Sequence, residues 1–178
     1  MGIKMDFFEV IKKRRSIRSF QRDQPVSESD LKKILETAIT APSAGNRQSW
    51  DFIIITKEET KKELVRAALG QDFIARAPVV IVVCANIGRS AAVYGRRGRD
   101  LYCIQDTAAA IQNMLLTITA LGYGACWVGA FQEAAVSSIL NIPEGVRPVA
   151  IIPIGVPKRS PKPPPRLPLS ELIHYEHY

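Results

Sequence analysis

Apolar and polar positions change period several times along this chain, and each change predicts an element. Phe7, Phe8, Val10 and Ile11 share one helical face within Met5 to Lys13. That segment runs directly into Lys12-Lys13-Arg14-Arg15-Ser16, so a basic helix end leads into a loop. Ser27-Glu28-Ser29-Asp30 has the form of a helix N-cap with an acid at the third position. Leu31, Ile34, Leu35, Ala38 and Ile39 then recur at helical period until Pro42 stops the helix. Trp50 to Thr56 is short, aromatic and β-branched, which predicts a strand, and Thr56-x-x-Glu59 predicts a capped helix ending before Gly70. Pro78 to Cys84 has no polar alternation, as a strand covered on both faces does not, and is expected in the middle of the sheet. Asp100 to Leu121 is the longest helical pattern, with Ile104, Ala108, Ile111, Leu115 and Ile118 on one stripe and Gly122 at its end. Gly124 to Gly129 predicts a further buried strand, Gln132 to Leu140 a short helix, and Val146 to Gly155 a last strand interrupted by Pro148 and Pro153.

At 178 residues, 47% hydrophobic and 23% charged, the chain has globular proportions and room for one core, so a single domain is expected across residues 1–178. Residues 157–168 hold half of the prolines, which predicts an extended arm within 157–178 rather than packed structure. Leu167, Leu169, Leu172, Ile173 and Tyr175 give that arm apolar groups to dock. The longest apolar runs have strand length, short of the roughly 20 residues that cross a bilayer, so no membrane partner is expected. Lys4, Asp6 and Glu9 interrupt any export signal, which leads to the expectation of a cytoplasmic protein.

Cys84, Cys103 and Cys126 are odd in number, widely spaced and set in apolar sequence, and read as reduced, buried thiols. His174 and His177 share a terminal turn without accompanying carboxylates or thiols, so no metal site is expected. The net charge of +7 changes the picture because it is local: the basic residues gather in 12–22, 89–99 and 158–166. Such fields attract anions.

Three segments could carry chemistry. Arg14-Arg15-Ser16-Ile17-Arg18 offers forked guanidinium donors and a hydroxyl suited to phosphate oxygens, although a basic helix end also complements its own dipole. Ala41 to Trp50 combines small, amide and hydroxyl groups that could lie against a flat heterocycle or simply form a turn. In Gly122 to Phe131 the glycines would let backbone amides approach a ligand, or merely punctuate a strand, and no six-residue dinucleotide fingerprint is completed. Arg89, Arg96, Arg97 and Arg99 with Tyr94 and Tyr102 read as a mobile loop meeting the phosphates of a ligand, as a solvated charged loop, or as footing for nucleic acid.

Taken together and in order, Arg14-Arg15-Ser16, Pro42 to Trp50, Gln105-Asp106, Gly124 to Phe131 and the proline-rich arm with Arg166 resemble the FMN-dependent nitroreductase family over nearly the whole chain. The resemblance implies an α+β fold: a central mixed, mainly antiparallel sheet surrounded by helices, in a homodimer with exchanged arms and one FMN at each of two subunit interfaces. It assigns Arg14, Arg15, Ser16 and Arg166 to the flavin phosphate. Arg18 falls beside the pyrimidine edge, where a fixed cation would stabilise the charge gained on reduction. Gln71 falls where an amide bonds the pyrimidine ring, and a backbone N–H in Val128-Gly129-Ala130 would meet flavin N5. Pro42, Ser43, Ala44 and Asn46 would reach the flavin of the other subunit. Ser49 departs from the family pattern, which places proline before the tryptophan.

The family uses no dedicated acid or base, so no catalytic side chain is assigned. The implied activity is ping-pong transfer from NAD(P)H to FMN and on to nitroaromatic, quinone or similar small-molecule acceptors. Alternatives are a reductive dehalogenase or flavin-fragmenting enzyme of the same fold, or a non-enzymatic basic protein that binds nucleic acid.

Overall fold

The structure is a computed structural model and describes residues 6–178. Helix α1 (Phe7–Lys13) begins where the Asp6 carboxylate accepts the Phe8 N–H at 3.0 Å; the Met5 start expected from the pattern lies outside the described residues. Only Val10 of its apolar face is buried, and Phe7, Phe8 and Ile11 stay exposed. Helix α2 (Glu28–Ala38) carries the expected cap, with Ser27 Oγ accepting the Asp30 N–H at 3.1 Å. Strand β1 (Trp50–Ile55) leads to α3 (Glu58–Ala67), but Lys57 holds the capping position without a side-chain bond, so the Thr56 cap is not formed. After α4 (Phe73–Arg76) comes β2 (Val79–Asn86), buried along all but its last residue.

The segment expected as a mobile loop is helical. Helix α5 (Ile87–Arg97) starts on Asn86, whose side-chain oxygen accepts the Arg89 N–H, bends at Gly95, and continues through a π-helical turn (Gly98–Tyr102) into α6 (Cys103–Ala120). The buried stripe of α6 is Cys103, Asp106, Thr107, Ala110, Ile111, Met114, Leu115 and Ile118. It therefore lies one position away from Ile104 and Ala108 in the first turns, because two polar residues there are buried for their hydrogen bonds. Strand β3 (Gly124–Ala125), helix α7 (Glu133–Leu140) and strand β4 (Val146–Gly155) complete the order.

The sheet runs β1-β2-β4-β3 with every neighbour antiparallel. One parallel bridge, Ser16 to Ala125, adds the N-terminal segment to its edge. Alternation along β2 divides the interior in two. Val79, Ile81 and Val83 pack with α2 and α6, whereas Val80, Val82 and Cys84 pack with α3, α4 and α7. Each fully buried side chain of this size contributes roughly 1.5–3 kcal/mol, which makes β2 the most heavily anchored strand.

Both prolines of β4 are accommodated locally. A bulge at Val149 separates the pair Val83–Ala150 from Cys84–Pro148. Ile151 exchanges both backbone hydrogen bonds with Val128, and the nitrogen of Pro153, two residues on, faces the same side without a donor. There the neighbouring chain leaves the ladder between Ala125 and Val128, so the expected strand from Gly124 to Gly129 is only two residues long.

Candidate functional site

The sheet edge positions the first cationic segment. Ile17 donates its N–H to Ala125 O at 2.8 Å, and Lys158 and Gln21 bond back to Ser19 O and Val156 O at 2.9 Å each. Residues 16–21 are thereby laid along β3 and the end of β4. Gly124 makes this approach possible, since a Cβ there would stand 2.6 Å from Ile17 Cγ1. Its glycine serves the packing of the N-terminal segment, not the ligand approach considered for it from sequence. Ile17 is buried, and the polar neighbours Arg14, Arg15, Ser16 and Arg18 are left facing a cavity.

That cavity measures about 790 Å³ and is lined by Ile11, Lys12, Arg14, Arg15, Ser16 and Arg18 from one end of the chain and by Pro161 to Pro164 and Arg166 from the other. Its size lies within the roughly 300–1,000 Å³ of small-molecule sites. No acid lines it, and Arg14, Arg18 and Arg166 form no ion pair among the described residues. A set of guanidiniums and ammoniums with one hydroxyl, unneutralised by carboxylates, suits a phosphate group. Arg15 is partly engaged already: its Nη1 donates to Lys12 O at 2.5 Å and Arg14 O at 2.8 Å, closing the C-terminus of α1.

Deeper along the same edge, the Arg18 guanidinium stands 5.9 Å from the centre of the Phe73 ring. Burial pushes the neighbouring Cys126 thiol up, with Arg18, Arg14 and Ser16 pulling the other way, so the thiol stays protonated and inert. Gln71 donates its side-chain amide to Ala68 O and to Ala130 O, both at 3.0 Å. This ties it to the Val128-Gly129-Ala130 segment and leaves its carbonyl oxygen to accept. A Cβ added at Gly129 would meet nothing within 4 Å, so the backbone there is open to a ligand.

The Pro42–Asn46 residues lie elsewhere. They share neither the cavity nor any hydrogen bond with the Arg14–Arg18 segment. Ala44 to Asn46 form a 3-10 turn with Gly45 at φ 53° and Asn46 at φ 54°, and the Ser43 hydroxyl accepts the Gln48 N–H at 2.9 Å. Beneath the turn, the buried Asp106 carboxylate accepts the Ala44 N–H at 2.9 Å and the Ser49 hydroxyl at 2.5 Å. Ser49 is therefore fully buried and bonded where the resemblance expects proline. Asp106 belongs to the Gln105-Asp106 pair of the resemblance, which gives it no role; a carboxylate within an otherwise small and apolar helix face is its one signal in the sequence.

The second basic segment is mostly engaged internally. Arg89 donates to Gln48 O, Trp50 O and the Asp51 carboxylate, Arg96 pairs with Asp100, and Arg97 bonds the Tyr102 hydroxyl. Arg89 thus holds β1 to α5 and is not placed to meet a ligand phosphate. Among the described residues, no three His, Cys, Asp or Glu side chains lie together as a metal site. No described helix is long and apolar enough to cross a membrane.

Comparison with known proteins identifies the family of the chain. The model of the "Nitroreductase family" matches residues 11–71 and 65–156. An NADH dehydrogenase of Thermus thermophilus is 31% identical over 188 residues, covering 90% of this chain and 91% of that protein. An FMN reductase [NAD(P)H] of Bacillus subtilis is 30% identical over 190 residues, covering 96% of this chain and 74% of its own length. The solved NADPH:FMN oxidoreductase of Vibrio harveyi, in complex with NAD+, superposes with a TM-score of 0.89 at 26% identity, over 97% of this chain and 77% of that one. On the family match and on relatives of this identity and coverage, the chain belongs to the nitroreductase family.

Proposed function

We propose that this protein is an NAD(P)H-dependent FMN oxidoreductase that works by a ping-pong cycle on nitroaromatic, quinone or similar electron-poor acceptors. The observation that carries the reading is the acid-free cavity in which Arg14, Arg15, Ser16 and Arg18 from one end of the chain meet Arg166 from the other. Bound there, FMN supplies the redox chemistry, accepting two electrons with a proton from the reductant and releasing them to the acceptor.

The chain's own residues bind and orient. Arg14, Ser16 and Arg166, with the remaining donors of Arg15, hold the phosphate. Arg18 faces the pyrimidine edge and favours the anionic charge that reduction places there. Gln71 presents its carbonyl oxygen to the same ring, and in Val128-Gly129-Ala130 the N–H toward N5 comes from Gly129 or Ala130, because the Val128 N–H is already held by Ile151 O. No side chain acts as acid or base. Pro42, Ser43, Ala44 and Asn46 complete the site of a second copy, which agrees with their separation from the cavity in their own chain.

A homodimer with exchanged arms is also supported by what the protomer leaves uncovered. Phe7 and Phe8 are 61% and 67% exposed, and Leu167, Leu169, Leu172 and Ile173 stand free on the 157–178 arm of the single domain. The test is to purify the protein, add FMN, and follow flavin absorption anaerobically as NADH or NADPH is added. Retained colour that bleaches with reductant and returns with a quinone supports the reading; a protein that takes up no FMN overturns it.

A further inference from the structure

Asp106 is 4% exposed, and its carboxylate has no cation within ion-pairing distance among the described residues. Burying such a group is costly unless neutral donors compensate it. Here they do, and both come from the ends of one exposed turn: the Ala44 N–H bonds Oδ1 at 2.9 Å and the Ser49 hydroxyl bonds Oδ2 at 2.5 Å.

The arrangement does little for the core that an apolar side chain could not do at least as well. What it does provide is placement. One rigid carboxylate on the 18-residue helix α6 pins both ends of a turn whose tip, Gly45 and Asn46, is exposed and holds left-handed backbone angles. In an asparagine one of these two oxygens becomes an NH2 donor, so the negative charge is lost and either the Ala44 N–H or the Ser49 hydroxyl no longer has a carboxylate oxygen to donate to.

From this we infer that Asp106 is a positioning residue for the flavin site of the opposite subunit, acting through Ser49 and Ala44 on the turn that completes that site. The inference rests on the proposed flavin reading and adds to it a side chain that need not touch the ligand. Its action is in trans: the lesion of an Asp106 variant falls on the partner's cavity, whereas the lesion of an Arg14 variant falls on its own.

Mixed dimers read this out. Asp106→Asn and Arg14→Ala chains, carried on different affinity tags, are co-expressed, and FMN affinity is measured for both homodimers and for the isolated mixed dimer. Each homodimer is expected to bind FMN at least about tenfold more weakly than wild type. The mixed dimer is expected to recover one site of wild-type affinity, because one interface receives both intact groups and the other neither.

Two weakened sites in the mixed dimer, or wild-type affinity in the Asp106→Asn homodimer, would overturn the inference while leaving the flavin reading intact. Wild-type protein that binds no FMN overturns both. Should Asp106→Asn fail to fold, Ser49→Ala removes one of the two bonds. It leaves Oδ2 without its donor and so lowers the melting temperature of the apoprotein, and the readout is again the mixed dimer with Arg14→Ala, which is expected to recover one site of wild-type affinity, whereas two weakened sites or unchanged FMN affinity in the Ser49→Ala homodimer count against the inference.

Discussion

Replacing Gly45 with alanine tests how tightly the turn above Asp106 is built. Gly45 has φ 53°, where an L side chain costs roughly 1–2 kcal/mol. An added Cβ would also stand 2.2 Å from Tyr94 Oη and 3.2 Å from Tyr94 Cζ, so the phenol must swing away. Tyr94 is not free to do so without loss, because it packs edge-on against Tyr102 with ring centres 5.1 Å apart. Such a pair contributes about 0.5–1.5 kcal/mol.

Together these give a loss of about 1.5–3.5 kcal/mol, equivalent to a fall of about 3–14 °C in melting temperature for a chain of this size. Urea unfolding of Gly45→Ala, Tyr94→Ala and the double variant separates the two contributions. In the Tyr94→Ala background the cost of Gly45→Ala should shrink to the backbone part, with a coupling of about 0.5–1.5 kcal/mol. An equal cost in both backgrounds, or a neutral Gly45→Ala, would refute the reasoning.

Other consequences follow from the same structure. Arg14→Ala and Arg166→Ala should each weaken FMN binding about 10–150-fold, the equivalent of a charge-assisted contact worth about 1.5–3 kcal/mol, and equilibrium dialysis with an unchanged melting temperature checks this. Met114, fully buried under the sheet, should lose about 2–5 kcal/mol of stability on change to alanine, visible as a lower urea midpoint. Phe7→Ala and Phe8→Ala should leave the protomer's core untouched and weaken self-association instead, measured by sedimentation as a raised dimer dissociation constant. Burial pushes the Cys84 thiol from 9.0 up to about 12, with the Asp51 charge adding to it, so the folded state holds that proton more tightly than the unfolded chain. Its contribution is therefore full below pH 9 and fades as the pH rises toward 12, by about 1.4 kcal/mol per pH unit, and the difference in urea midpoint between wild type and Cys84→Ala should show that slope.

The sequence was most legible where one physical rule acted alone. The unbroken apolar run at Val79–Cys84 could only be a strand covered on both faces, and Ser27 with Asp30 could satisfy orphan helix donors in only one way. Legibility failed where tertiary partners decided. Ile87–Arg97 reads as a charged loop because its polar residues and Gly95 break the helical pattern, yet Asn86 caps it and Arg89 is fastened to the Asp51 carboxylate and to the carbonyls of Gln48 and Trp50. The buried stripe of α6 includes Asp106 and Thr107 in its first turns, which hydrophobic periodicity cannot select. Gly124 reads as ligand-facing until Ile17 is placed against it.

The site divides along the same line. Arg14, Ser16 and Arg166, which the resemblance grouped from opposite ends of the chain, line one cavity together with Arg18. The Asp106–Ser49–Ala44 arrangement depends on contacts across 57 and 62 residues, and the lone carboxylate on the α6 face does not by itself reveal its partners.

On the proposed reading, two copies of this chain assemble each flavin site. Sedimentation equilibrium followed by flavin absorption decides the matter. Flavin is expected to sediment with a particle of twice the chain's 19.7 kDa, at one FMN per chain. Flavin travelling with a 19.7 kDa particle, or a dimer that carries none, would contradict it.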